Sequence, residues 1–123
     1  AIIFDRYQKR KGIMLEKTIT NIEERIKMAS SIGEKDRIDL LELLSALKSE
    51  VTELSKTHAE HAESITGFTQ VSAHEAIREK KNPHLIKLSL TALNSSVDEL
   101  KSTHPELVNT VNKVSQILAN MGI

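Results

Sequence analysis

The chain has 123 residues, 39% of them hydrophobic and 28% charged; 17 basic residues balance 17 acidic ones, and there is no cysteine. One domain of this size buries a core without disulfides or structural metal, and zero net charge gives no field to draw it to nucleic acid or an anionic membrane. The aromatic residues are Phe4, Tyr7 and Phe68, and four glycines with two prolines are too few for a many-stranded sheet, so an aliphatic all-α core is expected.

Residues 1–13, AIIFDRYQKRKGI, hold two of the three aromatics and Arg6, Lys9, Arg10 and Lys11 against Asp5, without helical periodicity. They read as a leader or tag-like segment ahead of a single helical domain over 14–123; the alternative is a basic arm that docks a partner. Leu15, Ile19, Ile22, Ile26 and Ala29 step four, three, four, three and predict a first helix over 15–31. Gly33 is expected to close that helix in the left-handed conformation, with Asp36 as N-cap of the next.

The longest pattern follows: Leu40, Leu44, Leu47, Val51, Leu54, His58, His61, Ile65 and Phe68 keep the same stepping without a miss. It predicts a long second helix over 37–66, roughly 45 Å at 1.5 Å per residue, with two histidines at seam positions. Gly67 is the weak point, leaving either a break over 66–70 with a short helix at 71–80 or one helix running to Lys81. Asn82-Pro83 caps and starts the next helix, striped by Ile86, Leu90, Leu93, Val97, Leu100 and His104. Pro105 starts the last one, striped by Leu107, Val111, Val114, Leu118 and Met121 and closed by Gly122. Four to five amphipathic helices with short connections pack most simply as an antiparallel bundle.

Thr103-His104-Pro105, Leu107, the small and aliphatic run behind them and the terminal Met121-Gly122-Ile123 resemble the C-terminal signature of a family of short bacterial proteins known as a domain of unknown function. Leu54 to Glu60, Gly67-Phe68 and Ser72 to Ala76 are similar to its longer members. The resemblance implies a small helical bacterial protein and transfers no activity, cofactor or catalytic residue.

His58, His61 and His74 are the candidate metal ligands, for zinc or another divalent metal, if the chain turns at Gly67 and brings His74 back; Glu60, Glu63 or Glu75 would then orient the rings. No histidine follows a glutamate by three, which argues against a ferritin-like di-iron site. Arg78 stands where the second histidine of a zincin motif after His74-Glu75 belongs, His84 is expected to be exposed, and His104 reads as an N-cap or seam residue. Without a nucleophile elbow or a phosphate-binding glycine loop, the sequence reads as a non-enzyme. No apolar run reaches a membrane span, so a cytoplasmic helical interaction or scaffold protein is expected, a homo-oligomer with room for a protein partner and no nucleic-acid or membrane ligand. The metal-binding or metal-sensing bundle is the alternative. Burying His58 and His61 at a seam would also make association sensitive to pH.

Overall fold

The computed structural model describes residues 2–122: five α-helices, α1 (Ile2–Met28), α2 (Glu34–Leu54), α3 (Ala59–Ile77), α4 (Pro83–Ser95) and α5 (Pro105–Gly122), with a 3-10 turn at Asp98–Leu100 between the last two. No strand occurs among the described residues, and the all-α expectation holds. The antiparallel hairpin α2–α3 meets the antiparallel hairpin α4–α5: α3 packs on α4, α2 on α5, and α3 against α5 across the centre. Helix α1 lies outside this four-helix unit, against α2 and α3.

The predicted stripes supply the core. Ile19, Ile22 and Ile26 of α1, Leu40, Leu44, Leu47, Val51 and Leu54 of α2, and Leu93, Val111, Val114 and Leu118 of α4 and α5 are all buried. Burying a full aliphatic side chain is worth about 1.5–3 kcal/mol, so this one contiguous cluster is the main stabilising term. The proline starts are also as predicted. Pro83 and Pro105 each open a helix, and the Asn82 side chain accepts from the backbone N–H groups of His84 and Leu85 at 3.1 and 3.2 Å.

Four expectations are corrected. Helix α1 reaches back through residues 2–13 to Ile2 instead of beginning at Leu15; Lys11 anchors this stretch, pairing with Glu63 of α3 and donating to the Tyr7 hydroxyl at 2.7 Å. These contacts, the bond to Glu63 foremost, hold the Lys11 ammonium above the usual lysine range.

Gly33 does not adopt a left-handed conformation: at φ −64° and ψ 148° it is the extended N-cap of α2, and Asp36 lies within the helix. The end of α1 is closed instead by Arg37, whose guanidinium donates to the carbonyls of Ile26, Lys27, Ala29 and Ile32. One forked cation thereby satisfies acceptors that a C-terminal glycine motif would otherwise serve.

The long second helix over 37–66 is two helices. It ends at Leu54, and Ser55 to His58 turn the chain through tight bonds from the Lys56 N–H to the Glu53 carbonyl (3.2 Å) and from the Thr57 N–H to the Leu54 carbonyl (3.1 Å). The Ser55 hydroxyl donates to the Thr52 carbonyl at 2.6 Å, a local side-chain bond of the kind that competes with helix propagation. Eleven residues separate Leu54 from Ile65 on either side of the turn, a spacing that keeps heptad phase, so the stripe reads through a break it cannot register. Gly67, the expected hinge, sits inside the continuous α3, which ends at Ile77.

The remaining correction concerns the last two helices. Helix α4 gives way at Ser95 to the 3-10 turn before its stripe is complete. Gly122 is buried within α5, where a Cβ would stand 2.8 Å from Ile86 Cδ1, so it provides close packing and not a cap.

Candidate functional site

Polar chemistry concentrates at the end of the bundle where the two hairpin turns meet. His58, at φ −134° and ψ 62°, is the N-cap of α3 and is exposed, not a buried seam residue. Its Nδ1 lies 2.8 Å from the Thr57 hydroxyl. In the other turn, His104 Nδ1 lies 2.9 Å from the Thr103 hydroxyl. The His58 and His104 rings meet edge to face at 5.5 Å between centroids, and His58 meets His61 in the same way at 6.0 Å. His61 Nε2 is 3.1 Å from Glu99 Oε2, tying the start of α3 to the 3-10 turn.

The expected ligand trio does not converge. His58 and His61 are neighbours, but His74 lies 13 residues farther along an unbroken helix, about 20 Å away at 1.5 Å per residue. There its Nδ1 is 2.9 Å from an Arg25 guanidinium nitrogen of α1. The expected supporting carboxylates are committed elsewhere, Glu63 to Lys11 and Glu75 to Arg78 at 2.8 Å. Glu60 and His61 line a shallow depression with Phe68 and Glu99. Among the described residues no three histidine, aspartate or glutamate side chains are placed to hold a metal ion. His84 is exposed, as expected.

His104 takes the third place because the chain repeats itself at an interval of 46 residues. Residues 40–77 align without a gap on 86–123, with Leu44, Leu47, Val51 and Leu54 on Leu90, Leu93, Val97 and Leu100. The polar identities are more telling, since packing does not demand them: Glu53, Thr57, His58, Glu60 and Gln70 fall on Glu99, Thr103, His104, Glu106 and Gln116. The turns share their closing bond, with His58 N–H and His104 N–H each donating to the carbonyl of the residue four earlier, Leu54 or Leu100, at 2.7 Å. Apolar periodicity cannot reveal this, because any two helices of a bundle share it; the repeated Glu-Leu-x-x-Thr-His-x-Glu can.

The family model for "Domain of unknown function (DUF4404)" matches residues 40–123. The chain belongs to this family. The DUF4404 match covers both repeated hairpins and none of α1. No curated protein and no solved structure matches the chain.

One concave surface lies away from the histidines. An open groove of about 850 Å³ runs between α4 and α5, lined by Ile86, Leu90 and Ala119 together with Lys87, Thr91, Asn94 and Gln116. A second apolar surface lies on the paired helices α3 and α4, where Phe68, Val71, Leu85 and Leu88 are 37–53% exposed. Phe68, placed on the core stripe by its spacing, is among them because the buried face of α3 runs through Ala62, Ile65, Thr69, Ser72 and Ala76, one position past the predicted His61 and Phe68. No helix among the described residues is long and apolar enough to cross a membrane.

Proposed function

We propose that the protein is a non-enzymatic helical interaction protein that self-associates through the outward face of α3 and α4. The observation that carries this reading is the group of four large apolar side chains, Phe68, Val71, Leu85 and Leu88, exposed on two helices that pack together. Apolar groups clustered on one face favour association, because a second copy removes them from water at about 25 cal/mol per Å². A 45 Å helix with an uncovered edge was the sequence-based motive for self-association; with that helix folded into a hairpin, the α3–α4 face takes its place as the motive. An isologous pairing brings this face against itself and needs no additional element.

The test is light scattering across about 1–100 μM, a range in which a modest apolar interface populates both states. Wild-type mass is expected to rise with concentration, whereas Val71→Glu combined with Leu88→Glu stays monomeric with an unchanged melting temperature, both positions being exposed. A wild-type monomer throughout contradicts the proposal.

A further inference from the structure

We infer that the outward face of α1 over residues 3–17 docks on an anionic lipid bilayer, with the helix in the headgroup plane, its apolar side chains at the acyl boundary and its cations on lipid phosphates. The inference does not rest on the proposed self-association, which uses α3 and α4.

The composition of one helical strip carries it. At 100° per residue, Ile3, Tyr7, Ile13 and Met14 share a strip about 120° wide with Arg6, Arg10 and Lys17. The four apolar side chains are 51–84% exposed, and the three cations are exposed with them. The strip lies opposite Leu15, Ile19, Ile22 and Ile26, which α1 buries against the bundle. Asp5 and Glu16, the acidic residues of this stretch, fall outside it by the same spacing, and so does Lys11, which pairs with Glu63. The neutrality of the whole chain, which argues against a membrane ligand, conceals a face with three cations and no carboxylate.

The position of α1 leaves that face accessible. Gly12 stands against Thr52 and Ser55 at the end of α2, where an added Cβ would lie 3.3 Å from the Ser55 hydroxyl. The ten helical residues before it, about 15 Å of helix, therefore extend past the end of α2. A convex, projecting helix meets a flat surface without obstruction from the rest of the bundle.

The placement of the charges selects the occupant. A second copy would set cations against cations, and nucleic acid would pair the cations while leaving Ile3, Ile13 and Met14 in water. A protein interface gathers apolar groups at its centre and charge at its rim, whereas Arg10 stands in line between Tyr7 and Met14. A bilayer interface accepts this interleaving: arginine and lysine stems lie along the apolar layer while their heads reach phosphate, and a tyrosine ring is at home at the boundary.

The probes are sucrose-loaded vesicles of phosphatidylcholine alone or with one part in three phosphatidylserine, sedimented with the full chain. Wild-type protein is expected to bind the mixed vesicles at least about tenfold more tightly than the neutral ones and to lose that preference in about 1 M salt. Arg6→Gln with Arg10→Gln is expected to weaken binding to mixed vesicles about 20-fold, and Ile3→Asn with Met14→Asn about tenfold, with unchanged melting temperatures because all four positions are exposed. The chain has no tryptophan, so Tyr7→Trp reports from the strip alone, and its emission should move to shorter wavelength on mixed vesicles. Val71→Glu combined with Leu88→Glu should leave vesicle binding unchanged, which separates this surface from the self-association face. No sedimentation of wild type with mixed vesicles at about 1 mM lipid overturns the inference, as does binding that survives loss of both arginines or is lost with Val71→Glu and Leu88→Glu. It is equally overturned by binding indifferent to Ile3→Asn with Met14→Asn, which marks electrostatic adsorption alone, by an unshifted Tyr7→Trp emission, or by tighter binding to a DNA duplex than to the mixed vesicles.

Discussion

Replacing Arg37 by alanine isolates one side chain that serves four backbone acceptors. Its guanidinium donates to Lys27 and Ala29 carbonyls at 3.0 and 2.8 Å, to Ile32 at 3.2 Å, and to Ile26, whose residue is fully buried. A hydrogen bond from a charged donor contributes about 1.5–3 kcal/mol, and the four bonds are not additive, since water can replace the guanidinium at the exposed Lys27 and partly exposed Ala29. The Ile26 carbonyl gains least from such replacement, so the loss is set at about 2–3 kcal/mol. The ion pair from Arg37 to Glu34 adds little, because the Glu34 side chain is 75% exposed. For a chain of this length 1 kcal/mol corresponds to about 4 °C, so Arg37→Ala should melt about 8–12 °C lower. Arg37→Lys, which keeps the charge and loses the fork, should recover less than half of that. Thermal melts followed by circular dichroism at 222 nm, with urea titration as a second measure, make the comparison. A shift below about 2 °C for Arg37→Ala would refute the assignment of helix closure to this residue.

Two glycines give opposite signs in the same assay. Gly67, in α3 with open space around it, should gain about 0.5–1 kcal/mol on substitution by alanine; Gly122→Ala should lose about 1 kcal/mol, because its Cβ would collide with Ile86. Equal signs would show that one of these environments is misassigned. Asn82→Ala removes the acceptor for two backbone donors and is expected to cost about 1 kcal/mol, read from the urea midpoint; a change below about 0.3 kcal/mol would leave the cap without a role. Spin labels on the exposed Ser45 and Gln70 test the turn at 55–58: a hairpin holds them within about 20 Å, whereas a continuous helix separates them by about 38 Å.

Most of the core was legible in the sequence because burial imposes a period, and every stripe from Leu15 to Leu118 used that period. The proline starts were legible because Pro83 and Pro105 fix a backbone angle and lack the N–H group that a first helical turn leaves unpaired. The turn at Ser55–His58 was not, since Leu54 and Ile65 on either side of it stay in heptad spacing, and the end of α1 was misread because an arginine from the next helix replaces a glycine cap, a tertiary event that local sequence does not encode. At the bundle end the sequence supplied His58 and His61 correctly as neighbours but chose His74 as third, by distance along the chain. The actual neighbour, His104, is 46 residues away and is recoverable only from the repeated turn motif.

Amide hydrogen exchange of the wild-type chain at about 1 and 100 μM tests self-association through α3 and α4 most directly. Exchange over residues 68–71 and 85–88 is predicted to slow at least about threefold at the higher concentration, with the exposed face of α1 unchanged. Concentration-independent exchange at these residues, or protection that appears on α1 instead, would contradict the account.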